Sequence, residues 1–189
     1  MSVRHALLAI LDQGPCYGYQ LRSEYARRTG ATVNVGQVGA TRERLERDGL
    51  VGNRGADERG HVYWGITASG RADVAGWLAR PSERAGRDEL AHKIALAATL
   101  PGVDAGAVIA AQRAAAVERL MQIDDDSAAS DDVAVGIVEA ARLAHARAEV
   151  EWLDAASAAV GEHPGSRTFA LSAERPRRGR PVRVASQTG

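Results

Sequence analysis

The chain has 189 residues, 45% of them hydrophobic, which is enough for one core of ordinary size or two small units and excludes a large multidomain enzyme. Basic and acidic residues both number 24, and Cys16 is the only cysteine, so neither an internal disulfide nor a thiolate metal cluster can form. No uncharged apolar run reaches the roughly 18 residues of a membrane span, and the apolar stretch of MSVRHALLAILDQGP is too short for a signal peptide, so a cytoplasmic protein with no membrane partner is expected.

The zero net charge hides a pattern. Residues 1–80 hold 11 arginines against 8 acids, residues 81–160 hold 7 basic residues against 14 acids, and residues 161–189 hold 6 arginines against 2 acids. A polyanion would therefore be met by the two ends of the chain and not by its middle.

Val3, Ala6, Leu7, Ile10 and Leu11 recur at helical spacing until Gln13-Gly14-Pro15, which predicts a first helix. A second follows from Tyr17 to Arg28, with Tyr25 facing the core and Thr29-Gly30 as its stop. A third begins near Gly36 and stops at Asp48-Gly49. Leu50-Val51 then reads as a short strand, Gly52 to Gly60 as a charged loop, and His61 to Ile66 as a second strand rich in aromatic and β-branched residues. Thr67 caps a fourth helix that runs to Arg80-Pro81.

Three helices, a two-stranded hairpin and a further helix within residues 1–80 are the layout of a winged helix-turn-helix. The fold class expected is mainly α, with this unit at the N-terminus. Residues 81–88 read as a linker. Alanine-rich helices are predicted over Leu90–Leu100, Asp104–Ile123 and Asp131–Val160, so that 89–160 forms a helical dimerisation domain, and the basic tail 161–189 is expected to be disordered. The last helix carries Val133, Ile137, Ala144, Ala148 and Trp152 near one stripe, small residues with one large anchor, suited to a two-fold contact with a second copy.

A set of segments carries a resemblance. Gly14-Pro15-Cys16-Tyr17-Gly18-Tyr19-Gln20-Leu21, Arg44-Leu45-Glu46-Arg47-Asp48-Gly49-Leu50-Val51 and Ile66-Thr67-Ala68-Ser69-Gly70-Arg71, in this order and spacing, resemble the PadR family of bacterial transcriptional regulators. The resemblance implies a homodimer whose third helix, 36–48, enters the major groove of double-stranded DNA while the wing, 52–60, reaches the backbone or minor groove. It further implies a repressor that a small-molecule effector releases from DNA. The family leads one to expect a tyrosine where this chain has Gly39 and a leucine where it has Arg42.

On a helical wheel, Val38, Arg42 and Leu45 fall together and are assigned to the inward face; Gln37, Thr41 and Arg44 share an outward flank, with Arg47 beyond. Gln bonds adenine bidentately, Arg bonds guanine, and Thr offers a methyl or a hydroxyl, so Gln37, Thr41 and Arg44 are the candidates for base contact. Arg54, Arg59 and His61 in and beside the wing, with Tyr17, Tyr19 and Arg22 at the start of the second helix, are candidates for phosphate contact. Trp77, Trp152 and Leu90 are candidate walls of an effector pocket between the two units. The five histidines are scattered, and no zinc, nucleotide or serine-nucleophile motif occurs, so neither a metal, a cofactor nor catalysis is expected. The rival reading is a dimeric winged-helix module that binds a protein or small molecule and has lost DNA, favoured by Gly39 and Arg42.

Overall fold

The computed structural model describes residues 3–82, 87–126, 133–162 and 170–172. Helix α1 (Val3–Asp12) is apolar on almost every side, with Leu7, Leu8, Ile10 and Leu11 all essentially inaccessible, and it forms the centre of the N-terminal half. Around it lie α2 (Gly18–Thr29), α3 (Val35–Arg47), the antiparallel pair β1 (Val51–Ala56) and β2 (Val62–Ile66), and α4 (Ala68–Ala79). This is the predicted helix, helix, helix, hairpin, helix order of a winged helix-turn-helix within a mainly helical chain.

Local signals set the element ends. Gly30, at φ 69°, caps α2 in the left-handed region. The Asn34 side chain accepts from the Gln37 amide at 2.7 Å and starts α3 one residue earlier than Gly36. Thr67 Oγ1 accepts from the Gly70 amide at 3.1 Å and starts α4. The hairpin differs from the sequence expectation: β1 extends to Ala56, so much of the segment read as a loop is strand, with a register shift between Asn53 and Ala56. Gly55, at φ 96°, absorbs that irregularity. A third segment joins the sheet edge, because Cys16 exchanges backbone hydrogen bonds with Trp64 at 3.0 and 2.9 Å. That pairing buries Cys16 completely, and burial pushes its thiol up to about 12, so it acts as a small apolar side chain.

Three helices follow: α5 (Arg87–Thr99), α6 (Ala105–Asp126) and α7 (Val133–Gly161). Helix α6 continues through the acidic run that was expected to end it. Helix α5 serves two cores. Its Leu96 and Leu100 join the core of α1 to α4, whereas its Leu90 and Ile94 pack with Ile109, Ala116 and Leu153 of α6 and α7. Polar stitches reinforce this: Arg28 donates to the Thr99 carbonyl at 2.7 Å, Lys93 to the Arg80 carbonyl at 2.5 Å, and Ser82 and Gln112 bond each other twice.

Of the tail read as disordered, 163–169 and 173–189 lie outside the described residues, as do 83–86 of the linker. Residues 170–172 are described and lie against α2. Leu171 packs on the first core above Gly14, Arg27 donates to the Ala170 carbonyl at 2.8 Å, and the Ser172 amide donates to Glu24 Oε1 at 2.9 Å. One apolar side chain with two satisfied backbone partners is enough to seat the tripeptide on α2.

Candidate nucleic-acid interface

Helix α3 is held from below by Val38, Thr41 and Leu45, all buried. This corrects the wheel reading, which put Thr41 outward. Thr41 is 3% exposed, and its hydroxyl accepts from Arg44 at 3.4 Å, so its side chain faces the core and not a base. Arg42, assigned inward, lies instead at the rim: its guanidinium is 4.2 Å from the Trp64 ring centroid and pairs with Glu43 at 3.0 Å and Glu46 at 3.9 Å. Val38 and Leu45 face inward as expected, and the third inward position is 41 in place of 42, a turn of the face by roughly 30°.

Gln37, Ala40, Arg44 and Arg47 remain on the exposed side of α3. Arg44 is folded back on its own helix, its Nε donating to the Ala40 carbonyl at 3.3 Å. Such a bond, made to a carbonyl already used by the helix, is readily exchanged for a base or a phosphate. Gly39 sits between these residues, and a Cβ there would meet nothing within 4 Å.

The wing is organised by Asp57, which the sequence reading did not single out. Its carboxylate accepts from the amides of Arg59 and His61 at 3.0 and 2.9 Å, approaches His61 Nδ1 at 3.0 Å and accepts from Tyr63 Oη at 3.4 Å. The backbone bond from His61 leads the effects that hold the Asp57 carboxyl down at about 2. An Asp opening a four-residue turn that closes with Gly60 is the signal that could have found it. The turn leaves Arg59 exposed at the tip.

The other phosphate candidates divide. Tyr17 is 3% exposed, stacked on His61 with centroids 4.7 Å apart and edge-on to Tyr63 at 5.6 Å, so it joins the wing to α2 and is not a surface group. His61 is accordingly half-buried and spoken for. Arg22 is exposed but its Nε donates to the Val33 carbonyl at 2.9 Å, fixing the turn between α2 and α3. Arg54 folds across Gly65 to donate to the Ile66 carbonyl at 3.2 Å. Tyr19 is half-buried. The exposed groups on α3 and the wing tip suited to DNA are thus Gln37, Arg44, Arg47 and Arg59, with the acids Glu43, Glu46 and Glu58 exposed among them.

The effector candidates separate as well. Trp152 and Leu90 line one groove of about 630 Å³ with Arg119, Arg142, His145 and Glu149. Trp77 does not belong to it. Its ring stacks on His5 at 5.0 Å and lies beside Lys93, next to a gap of only about 10 Å³, too small for more than a water. Along α7, Val133 and Ile137 are 78% and 67% exposed, and Ala144 and Ala148 are exposed too; the helix is fastened within the chain by Leu153. Among the described residues no cluster of His, Cys, Asp or Glu could hold a metal, and no helix is long and apolar enough to cross a membrane.

A helix seated on a three-helix core with a polar outer face, beside a hairpin whose tip presents Arg59 and Glu58 to solvent, defines the winged helix-turn-helix class. The sequence adds a match to a family model: residues 7–76 match the transcriptional regulator PadR-like family. No curated protein matches the sequence significantly. Among solved structures, the chain is similar to Bacillus subtilis PadR in complex with operator DNA, at 20% identity and a TM-score of 0.40 over 85% of this chain and 99% of that one. It is also similar to the same protein in complex with p-coumaric acid (20%, TM-score 0.39, 85% and 99%) and to the PadR-like regulator BC1756 from Bacillus cereus (15%, TM-score 0.37, 85% and 99%). The likeness to the family rests on the sequence match over residues 7–76.

Proposed function

We propose that this PadR-like regulator is a repressor that binds operator DNA as a homodimer, reading the major groove with α3 and touching the backbone with the wing. The observation that carries this reading is the exposed row Gln37, Arg44 and Arg47 on a helix locked from beneath by Val38, Thr41 and Leu45. Gln37 and Arg44 supply base-edge bonds, and Arg47 and Arg59 neutralise phosphates. Residues 1–80 serve as the DNA-binding unit and 89–160 as the dimerising one. The exposed stripe of Val133, Ile137, Ala144, Ala148 and Trp152 supports dimerisation, since an unpartnered apolar helix face of this length is the kind a second copy covers. A small molecule entering the groove between Leu90 and Trp152 would act on α5, which shares its other face with the DNA-binding core, and would release the DNA.

Sequencing the genomic fragments retained by the purified protein tests the reading. One recurring two-fold motif is expected, and Arg44→Ala should weaken binding to it by about 1–3 kcal/mol. Retention of random fragments, or none, would sink it. The second reading, a dimeric interaction module without DNA binding, is favoured by Gly39, which offers no side chain where a Cβ would meet open space, and by the exposed acids Glu43 and Glu46 on the same side of α3. Failure to retain any DNA at low salt while remaining a dimer would select it.

A further inference from the structure

The buried residues of α3 fix the direction in which it faces outward. Taking about 100° per residue, the line opposite Val38, Thr41 and Leu45 falls between Gly36 and Glu43, with Ala40 and Arg47 within about 50° of it; Gln37 and Arg44 stand about 90–110° away, on one flank. The centre of the exposed face is therefore an acid preceded by small residues one and two turns earlier. A Cβ on Gly36 would meet Asn34 Oδ1 at 3.4 Å and one on Gly39 nothing within 4 Å, so neither position holds the helix backbone away from a body laid against it. Glu43 itself is oriented. Its Oε1 accepts from Arg42 at 3.0 Å, and the Arg42 guanidinium is in turn held over the Trp64 ring at 4.2 Å, at the base of the wing. The Glu43 side chain is nevertheless 65% exposed, against 20% for Arg42, so its carboxylate is open to a donor from outside.

From this arrangement we infer that Glu43 is a specificity-determining residue that accepts a hydrogen bond from a cytosine N4 amino group in the major groove, with Arg42 as the residue that positions it. A carboxylate on the face that meets DNA is repelled by the phosphates, and the groove compensates it only where a base presents a donor. The cytosine edge presents its amino group alone. Adenine sets the N7 acceptor beside its N6 amino group and repels the second carboxylate oxygen, while guanine and thymine present acceptors there. A bond to a charged acceptor is stronger than one between neutral groups, and a carboxylate already fixed by Arg42 loses less side-chain freedom on binding than a free one. Discrimination comes from the cost of the wrong base, which leaves Glu43 desolvated without a donor.

This rests on the DNA-binding reading above, and the test separates the two. Duplexes selected from a random library by the full-length wild type, Glu43→Gln and Glu43→Ala are sequenced. The wild type should fix a cytosine at one position of each half-site, Glu43→Gln should select adenine there or no base, and Glu43→Ala no base, while the rest of the motif stays as it is. In fluorescence anisotropy, changing that C·G pair to T·A should weaken the wild type about tenfold and Glu43→Ala hardly at all. Arg42→Leu should reduce the cytosine preference and leave the other positions unchanged, a result that a loss of stability alone would not give. The inference is overturned if the wild type fixes no cytosine, if either Glu43 variant still fixes it, or if preference falls at every position alike. Full cytosine preference in Arg42→Leu overturns the positioning role of Arg42. If none of the proteins retains a duplex, the DNA-binding reading falls and the inference with it; if the wild-type motif recurs unchanged in the Glu43 variants, the inference alone falls.

Discussion

The Arg42 guanidinium lies over the Trp64 ring, 4.2 Å from its centroid, and joins the middle of α3 to the base of the wing. The contact accounts for an arginine at a position where the family leads one to expect leucine. The aliphatic stem covers apolar surface while the head reaches Glu43 and Glu46 at the rim. Arg42→Ala should cost about 1–2 kcal/mol, since it removes both the stem packing and a partly desolvated cation–π contact. Urea unfolding followed by circular dichroism measures it. Arg42→Leu keeps the packing and should cost less than half as much; equal losses would mean that the charge carries the contact.

Two glycines inside helices should respond oppositely to alanine. At Gly39 an added Cβ meets open space, so Gly39→Ala should stabilise by about 1 kcal/mol through helix propensity and a less flexible unfolded chain. At Gly70 the Cβ would collide with the Leu50 carbonyl oxygen and lie 2.6 Å from Ile66 Cγ1. The first obstacle is backbone fixed by the Thr67 amide, which donates to that same oxygen at 3.0 Å, so it cannot yield. Gly70→Ala should destabilise by more than about 2 kcal/mol. Thermal melts of the two variants beside the wild type should move in opposite directions.

Glu24 is 1% exposed and gathers Arg27 at 2.6 Å, Arg28 at 3.2 Å and the Ser172 amide. Arg28 is as deeply buried, and that burial lowers its pKa despite Glu24. Removing the carboxylate alone leaves a buried guanidinium uncompensated, so Glu24→Ala should cost about 3–5 kcal/mol. The double variant Glu24→Leu with Arg28→Met should recover most of that loss, because hydrophobic replacement of a buried pair is often neutral. Chemical denaturation of both checks the expectation; a double variant no more stable than the single one would refute it.

The N-terminal fold was readable because its periodicities and stop signals agree: Gly30, Gly49 and Thr67 do what glycine and threonine do at helix ends. The face of α3 was less readable. Val38 and Leu45, one heptad apart, are flanked equally by positions 41 and 42, and the wheel cannot choose between them. The structure chose the short threonine for the inside because the long arginine can reach the rim from either place. Asn34, three residues before Gln37, was a legible helix start that went unread. Tyr17 and Trp77 look alike as exposed aromatics in a sequence, and only their partners His61 and His5 reveal that both are packing groups. Leu171 could not have been found, since a lone apolar residue in a polar tail has no period.

His5 makes the junction between α1, α4 and α5 sensitive to acid. Its ring stacks on Trp77 at 5.0 Å, nearly parallel, and its Nε2 is 3.3 Å from Asp73 Oδ2. Burial lowers its pKa from the ordinary 6.5; Asp73 and Glu89 oppose the shift, and Arg4 and Arg80 add to it. A histidine that is less basic when folded binds fewer protons in the native state than in the unfolded one. Stability therefore rises with pH through this window: its contribution is complete above about 6.5 and is lost as the pH falls toward the lowered folded value. His5→Phe keeps a ring against Trp77 without a proton to gain. Between pH 7 and 5 the melting temperature of the wild type should fall more steeply than that of His5→Phe, since the other titrating groups are common to both and cancel in the difference. Parallel curves would show that the imidazole titrates alike in the folded and unfolded chains. A steeper fall in the variant would reverse the sign and make Asp73, not burial, the dominant influence on His5.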